Sequence, residues 1–96
     1  MKLFSLFKKI KNGDASFEEI LTKLETVKFS HEVGLILNAY TNYLLKSNPS
    51  LRNFCDAYHT TKMTFYKYCD NFDKERALRL LNKIEGYIPE ELQCQN

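Results

Sequence analysis

Residues 51–72, LRNFCDAYHTTKMTFYKYCDNF, contain the pattern that decides the predicted fold. Two sets of residues in this stretch each follow the spacing of one buried helix face. They are Leu51, Phe54, Cys55 and Tyr58 in the first set, and Phe65, Tyr68, Cys69 and Phe72 in the second. Thr60 and Thr61 stand between the sets and carry hydroxyl groups of the kind that cap helix N-termini. The stretch therefore predicts a helix from Ser50 to Tyr58, a corner at His59, and a second helix from Thr61.

The residues on either side of this stretch predict further helices. Residues 1–12 place their apolar side chains on one helical face and their lysines towards the other. Ser16, followed by Glu19, forms a capping-box pattern that opens a helix reaching about Lys28. Ser30 opens a longer helix, apolar nearly all round, which Asn48 and Pro49 end. Asp73 caps a last helix that closes at Gly86. Its inward-facing residues are expected to be Ala77, Leu78, Leu81 and Ile84.

Residues 54–68, FCDAYHTTKMTFYKY, resemble the helix-turn-helix of bacterial and phage DNA-binding proteins. Cys55 matches the small residue where the two helices cross, Thr61 the cap of the recognition helix, and Phe65 the apolar residue beneath it. Residues 64–68 are similar to the middle of the recognition helix in transposase-type and MerR-type domains. His59 stands at the corner, where that family usually carries Gly. The resemblance implies a small transcription regulator that binds duplex DNA in the major groove.

Helix geometry assigns candidate DNA contacts to this predicted recognition helix and its surroundings. The candidates for base edges are Thr60, Lys62, Met63, Tyr66 and Lys67. The candidates for phosphate contacts are Arg52, Thr61, Thr64, Lys74 and Arg76. Lysine can donate to guanine, and an apolar side chain such as that of Met63 can contact a thymine methyl group.

The expected fold class is all-α. It is a small bundle of about five helices with a C-terminal tri-helical helix-turn-helix and no β-wing. We expect one domain, residues 1–96, because a chain of this length supports one modest core. Residues 1–13 would be a basic amphipathic segment and residues 14–48 a two-helix support or oligomerisation region. Residues 49–86 would be the helix-turn-helix unit and residues 87–96 a tail.

The formal net charge of +2 is low for a protein that holds DNA by itself. We therefore expect a homodimer, or protein partners associated with RNA polymerase. Those contacts would use the helix from Val33 to Leu45 or the tail from Tyr87 to Leu92. Two alternatives stay open. One is a helical protein–protein adaptor or inhibitor that binds no DNA, and the other is a DNA-binding component of a transposition or recombination system.

Catalysis, cofactors and a metal are not expected from this sequence. It contains no glycine-rich phosphate loop and no supported nucleophile–base set. The spacing of Cys55, His59 and Cys69 fits no zinc pattern. Three cysteines without a secretory signal favour a reduced, cytoplasmic location. A membrane partner is also not expected, because no apolar run approaches the roughly 20 residues that span a bilayer.

Overall fold

The computed structural model describes residues 2–89 and Leu92, and these form five principal helices without a β-strand. The helices are α1 (Leu3–Asn12), α2 (Phe17–Thr26), α3 (Ser30–Ser47), α4 (Phe54–Asp70) and α5 (Lys74–Glu85). The predicted all-α bundle of about five helices is confirmed. The predicted unit of residues 49–86 contains only α4 and α5, so its third helix is absent.

Side-chain caps and one glycine set the ends of the first two helices. The Ser16 hydroxyl accepts a hydrogen bond from the Glu19 amide, and the Glu19 carboxylate accepts one from the Ser16 amide, as the capping-box pattern predicts. Gly13 ends α1 with φ of 77°, in the left-handed region that favours glycine. The Glu19 carboxylate also pairs with Lys9 at 2.7 Å, which joins α2 to α1. This hydrogen bond from Lys9, with the one from the Ser16 amide, lowers the pKa of Glu19.

The core lies where α3 and α4 pack together, with α1, α2 and α5 around them. Phe65 of α4 is fully buried, and its ring contacts those of Phe17 and Tyr40 at 5.6 and 4.8 Å between centroids. The other large residues at 2 % exposure or less are Leu6, Ile10, Ile20, Leu21, Leu24, Val33, Ile36, Leu37, Leu80 and Ile84. Every described helix therefore contributes to one continuous core.

The chain after α5 returns to α3 and packs over a glycine. A methyl group added at Gly34 would lie 2.2 Å from the ring of Tyr87, so the absence of a side chain at this position makes room for that ring. The Tyr58 hydroxyl donates to the Tyr87 carbonyl at 3.4 Å, and burial raises the pKa of Tyr58 to about 12. Pro89 is buried as well. The start of the tail is thus folded onto the body, whereas residues 90, 91 and 93–96 of the predicted tail lie outside the described residues.

A buried pair of threonines joins α3 to α4. Thr41 and Thr61 are both fully buried, and their hydroxyl oxygens lie 3.0 Å apart. Thr61 donates its only hydroxyl proton to the Ala57 carbonyl at 2.9 Å. The proton between the two threonines therefore comes from Thr41, and Thr61 accepts it.

We expect Thr61→Val to lower the free energy of unfolding by about 1–3 kcal/mol, because it leaves the buried Thr41 hydroxyl without its acceptor. The double variant Thr41→Val/Thr61→Val should lie closer to the native protein than the single variant, since no orphaned donor remains. Urea denaturation of the native protein, both single variants and the double variant measures this coupling. Strictly additive changes would contradict the assigned hydrogen bond.

No helix in the described part of the chain is long and apolar enough to cross a bilayer.

Candidate functional site

The predicted corner at His59 is wrong, because residues 54–70 form one uninterrupted helix. Asn53, rather than Thr60 or Thr61, caps it by accepting a hydrogen bond from the Asp56 amide at 2.9 Å. The Thr60 hydroxyl instead donates to the Asp56 carbonyl one turn earlier, at 3.0 Å. Such back-bonding is how hydroxyl residues are accommodated inside a helix. The segment contains neither Gly nor Pro, so nothing in it forces a break.

Continuity of α4 changes the surroundings of several predicted DNA contacts. Thr61, expected at a phosphate, is fully buried in the core. Thr60, Met63, Thr64 and Tyr66 are half-buried, and Lys67 is exposed. Lys62 forms an ion pair with Glu85 of α5. The outer side of α4 therefore presents one free lysine together with partly covered side chains.

The predicted phosphate contacts outside α4 also differ in what they touch. Arg76 packs against α2, where its guanidinium bonds Glu25 and lies 3.1 Å from a Glu18 oxygen. The hydrogen bond that Arg76 donates to the Glu25 carboxylate raises the pKa of Arg76. Arg52 pairs with Asp56 at 3.4 Å. Lys74 is exposed. Of the five predicted base-edge residues and five phosphate residues, only Lys67 and Lys74 are exposed lysines without an ion pair among the described residues.

Two further expectations about helix faces are wrong. Phe72, assigned to the second buried set, follows the end of α4 and is 78 % exposed. On α5 the buried residues are Ala77, Leu80 and Ile84, whereas Leu78, expected to face inward, is 55 % exposed. Both differences leave apolar side chains on the surface near the α4–α5 turn.

Arg76→Ala should lower the free energy of unfolding by roughly 1 kcal/mol or less, because its ion pairs are partly exposed to solvent. Lys74→Ala, on the same helix but exposed, is the matched control and should leave stability unchanged. Thermal denaturation at low and high salt compares the two variants. Equal effects would mean that the contacts of Arg76 with α2 do not stabilise the fold.

An open groove between α1 and α3 is the concave surface with the clearest chemistry. Its volume is about 630 Å³. Its apolar surface comes from Phe7 of α1 and from Ala39, Tyr43 and Leu45 of α3. Its polar rim comes from Lys11, Asn42, Lys46 and Ser47. We call this surface the α1–α3 groove.

The same two helices carry further apolar and basic side chains on the faces that border the groove. Phe4 lies one turn from Phe7 and Lys8 on α1 and is 75 % exposed. Leu35 lies one turn from Ala39 on α3 and is 46 % exposed. Exposed apolar side chains therefore continue along both helices beyond the α1–α3 groove.

The charged side chains that line the α1–α3 groove are all basic. Residues 1–13 carry four lysines and no acidic residue. Within the described residues, Lys8, Lys11 and Lys46 make no ion pair, in contrast to Lys9, Lys62 and Arg76. The lysines near the groove are therefore available to an acidic partner, whereas those three other basic groups are bound to acids of the same chain.

The sequence contained two signals for this surface. The helix from Val33 to Leu45 is apolar on more sides than a single core contact requires, and the N-terminal segment is both basic and amphipathic. The missing information was that α1 packs beside α3. That pairing depends on tertiary contacts, which no local pattern encodes.

No group of three or more His, Cys, Asp or Glu side chains that could hold a metal occurs among the described residues.

No family model matches the chain, and comparison with curated proteins and with solved structures finds no similar protein.

Proposed function

We propose that this protein is a helical adaptor that binds an acidic amphipathic helix of a partner protein in the α1–α3 groove. The observation that carries the proposal is an open apolar groove whose charged rim is exclusively basic. Recognition would follow the helix-in-groove mode, in which apolar side chains at i, i+3 or i+4, and i+7 enter the groove.

The shape of the site supports a helix as the occupant. Two neighbouring helices form the walls, and the apolar groups Phe7, Ala39 and Leu45 lie between them. Phe4 and Leu35 would extend the apolar contact beyond the groove. An exposed apolar surface rimmed by polar groups is typical of protein interaction sites. A ligand presenting several apolar side chains in a row would bury more of this apolar surface than a small polar molecule would.

Charge complementarity selects an acidic helix. Lys11 and Lys46 stand at the groove, and Lys8 lies on the neighbouring face of α1. Acidic residues beside the apolar face of the partner would pair with these lysines. Complementary rim charges accelerate association and exclude partners of the wrong sign.

Duplex DNA fits the described surface less well. The helix-turn-helix corner is absent, and Thr61 is buried. The basic side chains of Lys62 and Arg76 are paired with carboxylates. Few phosphates could be neutralised by the remaining side chains of α4 and α5, and phosphate neutralisation dominates non-specific affinity for DNA. DNA binding through Lys67 and Lys74 stays a prediction, and the titration described next tests it.

The experiment is a fluorescence-anisotropy titration with three labelled probes at several salt concentrations. The first is a helical peptide with Leu and Phe on one face and Glu beside them. The second has Lys in place of every Glu, and the third is a random DNA duplex. We expect saturable binding of the acidic peptide, with an affinity on the order of micromolar that weakens with salt, and much weaker binding of the other two.

Preference for the basic peptide or for the duplex would contradict the proposal. Sedimentation of the protein alone provides the control for self-association. A stable dimer whose interface covers Phe7 and Ala39 would assign the groove to a second copy of the chain and would likewise contradict the proposal.

A further inference from the structure

A second, smaller cavity lies beside the α1–α3 groove. Its volume is about 160 Å³. Three aromatic rings, those of Phe17, Tyr40 and Tyr43, line it together with Ile10 and Ile20. The Phe17–Tyr40 and Tyr40–Tyr43 ring centroids are each 6.1 Å apart, with interplanar angles of 55° and 42°. The rings therefore stand at angles to one another around the space.

The size and lining of this aromatic cavity define the class of group that fits. An engineered apolar cavity of about 150 Å³ in another protein stays dry and binds benzene. The aromatic cavity has a similar volume but is partly open to solvent, and no charged side chain lines it. Angled rings also favour the edge-to-face and offset contacts that aromatic groups prefer. A phenyl ring matches it in volume and in chemistry.

Tyr43 connects the cavity to the groove, because its side chain lines both. Gly13 leaves room for that ring, since a methyl group added at Gly13 would lie only 3.1 Å from the Tyr43 hydroxyl oxygen. An occupant of the α1–α3 groove therefore contacts the wall of the cavity directly.

We propose that the aromatic cavity binds the phenyl ring of a phenylalanine on the partner helix, as the anchor of the complex. This inference rests on the proposed function and specifies the partner further. Interfaces concentrate their binding energy in a few anchors that enter pockets, often aromatic ones, surrounded by a polar rim. Here the rim would be the lysines of the α1–α3 groove, and the anchor would lie behind Tyr43.

The first experiment requires no peptide. Benzene is titrated into the protein while the methyl NMR signals of Ile10 and Ile20 are followed. We expect saturable shifts of both signals from the ring current of the bound molecule. Ala15→Leu places a larger side chain in the cavity wall and should abolish the shifts. Ala39→Leu adds the same atoms in the groove and should preserve them, while circular dichroism verifies that both variants fold.

The second experiment compares the acidic peptide with its Phe→Ala and Phe→Leu forms. Loss of the ring should weaken binding roughly tenfold or more, and leucine should restore only part of the affinity. Absence of benzene-dependent shifts, or equal affinities of the three peptides, would contradict the proposal that a phenylalanine of the partner helix is anchored in the aromatic cavity. In those cases, continued binding of the acidic peptide would leave the proposed function intact. Benzene binding without any peptide binding would overturn both the anchor and the proposed function, since no partner helix would then be held.

Discussion

The double variant Lys11→Glu/Lys46→Glu is expected to lose about 30-fold in affinity for the acidic peptide. Each exposed ion pair contributes about 0.2–1 kcal/mol, and reversal replaces two attractions by two repulsions. A total of about 2 kcal/mol corresponds to that factor. The same variant should gain affinity for the basic peptide. Anisotropy titrations with both peptides measure the exchange of preference.

The matched control reverses two lysines of the predicted DNA-contacting side, as Lys67→Glu/Lys74→Glu. Both lysines are exposed. The change in net charge is the same as in the groove variant, because each variant replaces two lysines by two glutamates. We expect this control to bind the acidic peptide nearly as well as the native protein. Equal losses in the two double variants would show that only net charge matters and would contradict a defined site at the groove.

The effect of Gly34→Ala on the free energy of unfolding is expected to change sign when Tyr87 is removed. In the native protein the new methyl group would overlap the Tyr87 ring, and the forced displacement should cost about 1–3 kcal/mol of unfolding free energy. In a Tyr87→Ala background the obstacle is gone. The same substitution should then stabilise by up to about 1 kcal/mol, because alanine favours a helix over glycine. Chemical denaturation of the four proteins measures both effects.

Gly86→Ala provides the control for this reversal. Gly86 has φ of −71°, and an added methyl group would meet only backbone oxygens at 3.4 Å or more. Its substitution should have a small effect that is the same in both backgrounds. A destabilisation by Gly34→Ala that persists in the Tyr87→Ala background would mean that Tyr87 does not occupy the space above Gly34.

The helix ends that depend on local chemistry were largely predictable. Ser16 with Glu19 and Asp73 both cap helices as expected, because these hydrogen bonds join residues three apart in the chain. Asn48 ends α3 before Pro49, also as expected. In each case the sequence neighbours supply both the donor and the acceptor.

The prediction of a corner at His59 was wrong because the sequence pattern on which it rested is ambiguous. Hydroxyl residues such as Thr60 and Thr61 can cap a helix from outside or bond to carbonyls one turn earlier within it. Tertiary contact decides between these states, and Thr61 is held in the core by Thr41 of α3. The sequence alone contains no indication of that long-range partner.

The candidate site could be predicted only in part. The apolar excess of α3 and the basic character of residues 1–13 were visible. The α1–α3 groove and the aromatic cavity depend on which helices become neighbours and on where Tyr43 lies between them. These features arise from packing between residues about 30 positions apart.

The most direct test of the account is chemical-shift mapping of the ¹⁵N-labelled protein with the unlabelled acidic peptide. We predict that the largest amide shifts fall on the α1–α3 groove, around Phe7, Lys11, Ala39 and Lys46, with small changes along the outer side of α4. Shifts concentrated instead at Met63, Tyr66 and Lys67, or no saturable shifts at all, would contradict an adaptor that works through this groove.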